Sequence, residues 1–282
     1  MKFQYFRFFL SPINGTGNLF TQLEDSKINS INEVFKKDFD GTYRGMSYSI
    51  RYIEQYEDIV YLKVAKHTSV RRNKSPEENF ELESIEHWPF INMIVSLAKD
   101  IDGSYGQLIA IEHKSSVIDN PTNLLRDWAD SKNTELSNYG YVLSINPITN
   151  KESFWNVVKQ YKNQIEEVTF EYSMPNLFNT GDKLEEELKA ANSNLNAAKA
   201  TVSFSNKAGV LILSEDNTLL KQSADYVDNG GGEFKIKKKG EKSCIVSAKK
   251  IKTKKFEIED FNLEIKNSDD LIKVFKTILE QK

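Results

Sequence analysis

The chain has 282 residues, 39% of them hydrophobic and 28% charged, with a formal net charge of −3 at pH 7. That balance describes a globular protein able to bury one large core or two modest ones, and it excludes a disordered chain. No stretch approaches the roughly 20 apolar residues of a spanning helix, and the single cysteine, Cys244, excludes an internal disulfide or a cysteine-based zinc site and suits a reducing cytoplasm.

Residues 3–10 are rich in aromatic side chains, with Arg7 interrupting the run, and no small-residue cleavage site follows; they read as a strand whose Phe3, Tyr5, Phe6, Phe8 and Phe9 go to a core. The Asn14-Gly15-Thr16-Gly17 cluster is a loop without the Gly-Lys-Ser or Gly-Lys-Thr of a phosphate cradle. Spacing of Leu23, Ile31, Val34 and Phe35 predicts a helix over 19–39. Two alternating runs, 48–53 and 59–65, predict a hairpin, and the polar stretch 67–83 reads as a surface loop. Residues 107–114 hold the clearest buried strand. Pro121 opens a helix to about 138, a strand follows at 141–145, a helix at 151–165 and a strand at 168–172.

An amphipathic helix is predicted over 182–200, short strands over 201–205 and 210–213, a helix over 218–227 and a last helix over 269–279. Gly230-Gly231-Gly232 reads as a flexible turn, and Cys244, beside Ile245 and Val246, as a buried thiol. The resulting class is α+β, with mixed, mainly antiparallel sheets and packed helices. A composition shift suggests one α+β unit over 1–170 and a second over 171–282, although no long linker separates them and a single domain stays open.

Charge is unevenly placed. Between 235 and 255 stand ten lysines, Lys235, Lys237, Lys238, Lys239, Lys242, Lys249, Lys250, Lys252, Lys254 and Lys255, against one acid, Glu241. The segment carries +9 and the rest of the chain about −12. Alternation in Phe234-Lys235-Ile236-Lys237 and Ile251-Lys252-Thr253-Lys254 puts ammonium groups on one strand face and apolar groups on the other, which predicts a basic ribbon. Such a ribbon suits a polyanion, DNA before RNA, held by its phosphates without a cofactor; it equally suits an edge protected against aggregation. With 32 lysines and six arginines, bidentate reading of guanine is not favoured, so binding independent of base sequence is expected.

A second pattern lies at 102–114, where Asp102 precedes Glu112-His113-Lys114 by ten positions. It resembles the PD-(D/E)XK nuclease core, lacking the proline before the first acid. The resemblance implies Asp102 and Glu112 as ligands of Mg²⁺ and Lys114 as the group orienting or activating water. The plain alternative is a turn aspartate and the polar face of a half-buried strand. With only His67, His87 and His113, a histidine-based triad or metal site would need nearly all of them to converge.

The strand Val168-Thr169-Phe170-Glu171-Tyr172 running into Met174-Pro175-Asn176-Leu177-Phe178 and then a helix resembles, in layout, phage-exclusion proteins of the RexA type and chains from bacterial defence loci. That resemblance implies a DNA-binding homodimer with a phage-defence role and no catalytic residue to transfer. A third expectation makes the chain a non-enzymatic component that docks a protein partner through the helix at 182–200 or the terminal helix.

Overall fold

The computed structural model describes residues 1–13, 31–98, 107–149, 153–174, 183–195, 197–207, 210–247, 251–256 and 267–280. The chain is α+β and its sheets are antiparallel; no helix among the described residues is long and apolar enough to cross a membrane.

The first strand, β1 (Lys2–Pro12), organises the larger sheet, because its apolar side chains serve both faces: Phe6, Phe8 and Leu10 enter one core, Phe3 and Tyr5 another. On one side it pairs with β8 (Leu108–Glu112). On its other side lie β9 (Tyr141–Pro147) and β14 (Thr253–Lys255), end to end. The sheet continues from β8 through β7 (Phe90–Ser96), β4 (Ile59–Lys66) and β3 (Met46–Tyr56) to β2 (Phe39–Tyr43).

Helix α1 (Pro121–Leu136) and the helical residues 31–35 cover one face, where Trp128 stacks on Phe35 with ring centres 5.2 Å apart. Such a pair adds about 0.5–1.5 kcal/mol to the burial of both rings. The opposite face lies under α5 (Ser268–Leu279), whose Leu271, Phe275 and Ile278 pack on Phe3, Tyr5 and Tyr61. Asn267 caps α5 by accepting from the Asp270 N–H at 3.0 Å.

The smaller sheet has the order β11 (Lys199–Ser205), β10 (Ile165–Ser173), β12 (Gly232–Lys238), β13 (Cys244–Val246). Its inner face, with Phe170, Tyr172, Phe234 and Ile236, packs against α2 (Ser153–Gln160), α3 (Lys183–Leu195) and α4 (Thr218–Tyr226). A cut between 170 and 171 runs through β10, and β14 and α5, from the second half of the chain, pack on the first sheet.

The two sheets meet at residues 227–232. Gly230 has φ +85°, and a Cβ there would stand 2.9 Å from the Arg7 Cβ and 3.0 Å from Ile148 Cγ1. At Gly232 it would stand 1.9 Å from the Glu171 carbonyl oxygen. The triplet expected to be a flexible turn is therefore buried and closely packed, with the adjoining Asp228 accepting a hydrogen bond from the Thr149 hydroxyl.

Other expectations shift in bounds. The helix predicted over 19–39 lies outside the described residues up to 30, and the chain enters β2 at Phe39. The helices predicted to reach 165 and 200 stop at Gln160 and Leu195, and the following residues pair as β10 and β11. Residues 210–213 form no strand; the Leu211 N–H donates to the Ile165 carbonyl at 2.8 Å. The supposed loop at 67–83 contains β5 (Thr68–Asn73), which pairs with β6 (Leu82–His87) as an arm continuing the β4–β7 hairpin.

Candidate nucleic-acid interface

The lysine-rich segment does not form one ribbon. Lys235, Lys237 and Lys238 stand on β12 in the smaller sheet, whereas Lys254 and Lys255 stand on β14 in the larger, with Lys252 just before it. On β12 the expected alternation is present, with Phe234 and Ile236 fully buried and Lys235 and Lys237 on the opposite face.

That face is already compensated. Lys235 pairs with Glu171 and, at 3.5 Å, with Glu233; Lys237 lies 2.6 Å from Glu166; Lys238 pairs with Glu241 and sits 4.4 Å above the Tyr161 ring. Hydrogen bonds to these carboxylates push the ammonium pKa values of Lys235, Lys237 and Lys238 up, and the Lys237 contact holds the Glu166 carboxyl below its usual range. Two of the four acids, Glu166 and Glu171, come from β10, the strand that pairs with β12, so the acids of that strand were the sequence signal for a charge ladder rather than a bare basic face.

The other lysines differ. Lys239 and Lys242, around the β12–β13 turn, are exposed, with no ion-pair partner among the described residues. Lys254 donates to the Glu280 carbonyl at 3.1 Å and lies 5.1 Å over Phe256. Lys249 and Lys250 lie outside the described residues.

Lys255 stands directly opposite Lys2 in the β1–β14 ladder, both exposed and on one face. His113 joins them there: its N–H donates to the Lys2 carbonyl at 2.7 Å, and its buried Nδ1 has no hydrogen-bond partner. Burial, and then the charge of Lys2, hold the His113 imidazole below its ordinary pKa of 6.5. Sequence reasoning missed this cluster because its members are separated by more than 100 positions, and only the pairing of β1 with β8 and β14 brings them together.

Of the nuclease-like residues, Asp102 lies outside the described residues. Glu112 and Lys114 are brought together, Nζ to Oε1 3.4 Å, with Glu112 buried at 5% exposure and Lys114 exposed just beyond the strand end. The other carboxylate oxygen, Oε2, accepts from the Asn92 N–H at 3.2 Å and from Asn92 Nδ2 at 2.8 Å. Asn92 Oδ1 in turn accepts from the Tyr61 hydroxyl at 2.7 Å. Glu112 thus already has a donor on each oxygen, and the described residues contain no group of three or more His, Cys, Asp or Glu able to hold a metal ion. Of the two expected Mg²⁺ ligands the described residues include Glu112 alone, and both of its carboxylate oxygens are engaged.

Cys244, expected to be buried, is exposed. It stands opposite Lys237 on the outer face of the sheet, whereas its neighbour Ile245 turns inward. Between α1, β9 and the smaller sheet lies a polar cleft of about 180 Å³, lined by Arg126, Asp130, Asn146, Glu171, Lys199 and Glu233 among others. The chain matches no family model, no curated protein and no solved structure.

Proposed function

We propose that this is a bacterial nucleic-acid-binding protein that grips phosphates without reading bases, through its uncompensated lysines rather than through the whole 235–255 segment. The observation that carries the reading is the Lys2–Lys255 pair. Like charges directly opposite in a ladder destabilise it, by about 0.2–1 kcal/mol, and neither ammonium has a carboxylate partner among the described residues. A phosphate between them converts that repulsion into two charge-assisted contacts. Lysine acts as a point charge, so contacts of this kind are indifferent to base sequence. Resemblance to phage-exclusion proteins supports a defence role for that binding, and cytoplasmic residence suits both.

The test is fluorescence anisotropy of labelled duplex DNA over a salt series in EDTA. Wild-type affinity should fall linearly on logarithmic axes, and Lys2→Ala/Lys255→Ala should make the slope shallower by about two. Equal slopes for the two proteins would remove the reading. The Glu112–Lys114 contact supports the nuclease alternative, and the same samples with Mg²⁺ decide it: cleavage that Glu112→Gln abolishes would establish it, and intact DNA would discard it.

A further inference from the structure

The sheet edges are finished in different ways. On β9, Asn133 of α1 donates to the Leu143 carbonyl at 3.0 Å and accepts from the Leu143 N–H at 2.6 Å, so one side chain imitates a neighbouring strand. The edges at β13 and β14 are three residues long, and β14 carries two lysines. β11 has neither protection. It is seven residues long, pairs with β10 along its whole length, and makes no backbone hydrogen bond on its other side among the described residues. Beyond Lys199 it contains no charge and no proline, which leaves a template for another strand.

We propose that β11 pairs antiparallel with β11 of a second copy of the chain, about a two-fold axis through Val202, joining two four-stranded sheets into one of eight. The strand is complementary to itself in that register. Val202 meets Val202 of the second copy, half-buried Ala200 meets Phe204, and exposed Thr201 meets Ser203. The one charge, Lys199, meets Ser205, so no like charges face each other. Sliding by one residue would set apolar against polar side chains, and sliding by two would shorten the overlap. Apolar pairs then extend across the axis the core against which Val202 and Phe204 pack, and hydroxyl pairs cover the other face.

This pairing is independent of nucleic-acid binding and is measured without it. Light scattering on the full chain over a concentration series should reach twice the 32.4 kDa chain mass. In a Cys244→Ser background, Val202→Cys should cross-link under mild oxidation, because directly opposed residues have Cα atoms about 4.5–5.5 Å apart. Ser69→Cys, on the exposed arm, should remain uncross-linked in the same background. A chain of single mass at every concentration overturns the proposal. So does a dimer in which Val202→Cys cross-links no better than Ser69→Cys.

Discussion

Arg126 on α1 lies 3.0 Å from Glu233 at the start of β12, a pair that ties the helix covering the first core to the smaller sheet. Glu233 is also held by Lys235, which bonds Glu171, so four side chains alternate in sign across the junction. Arg126 is 38% exposed and Glu233 12%. Because solvent screens the arginine and Lys235 remains as a partner, Arg126→Ala should cost only about 1 kcal/mol in urea unfolding. A double-mutant cycle with Glu233→Gln should show coupling, whereas strictly additive losses would mean that the pair does not bind the sheets together.

Gly230→Ala should be more damaging. Its φ of +85° disfavours any side chain, and the new methyl would press on Arg7 and Ile148. The expected loss is about 1–3 kcal/mol, seen as a lower midpoint of thermal unfolding. An unchanged midpoint would show that residues 227–232 move freely, against the packing described.

Removing Phe275 should loosen α5 from its sheet. Its fully buried ring lies 5.3 Å from Tyr61 and 5.8 Å from Tyr56. Phe275→Ala is expected to cost about 3–5 kcal/mol, with early loss of amide protection in residues 268–279 measured by hydrogen exchange. Protection unchanged across that helix would contradict the prediction.

Several strands with a face in a core were legible in the sequence, although β7, buried along nearly its whole length, and β2 were not predicted. β8 announced itself by the unbroken Leu108-Ile109-Ala110-Ile111, and α1 by Pro121 with Leu124, Leu125 and Trp128 on one side. The β5–β6 arm was not legible, because it has no buried residue to impose an alternation; Val70, Leu82, Arg71 and Glu86 are all exposed. The ion pairs that subdivide the lysine segment join residues 64 and 71 positions apart, Glu171 with Lys235 and Glu166 with Lys237, beyond any local pattern. Cys244 was misplaced because the apolar character of Ile245 outweighed the two-residue period that turns adjacent side chains to opposite faces.

The division among lysines can be measured one residue at a time. Lys237→Ala removes a cation that Glu166 already neutralises, so the salt dependence of DNA binding should barely change. Lys242→Ala removes an exposed charge, and should make the slope shallower by about 0.9 if the turn touches phosphate. The reverse ranking would return the interface to the outer face of β12.

His113 provides a pH-dependent reporter. Its folded pKa lies below the unfolded value, so the unfolded chain takes up more protons as pH falls from 6.5 towards the folded value. Stability from this group is full above pH 6.5 and is lost on acidification through that window. By NMR titration, Lys2→Ala should raise the His113 pKa, and bound DNA should raise it as well. A value indifferent to both would dissociate the imidazole from the lysine pair.

The Tyr5 hydroxyl donates to the carbonyl of Ile278, 273 positions later, and the amino group of Met1 donates to that of Phe256. On the ribosome this separation becomes time. At roughly 5–20 residues per second, β1 waits on the order of 14 to 55 s for the helix that covers it. Throughout that interval the Phe3 and Tyr5 face lacks the cover that Leu271, Phe275 and Ile278 will give it.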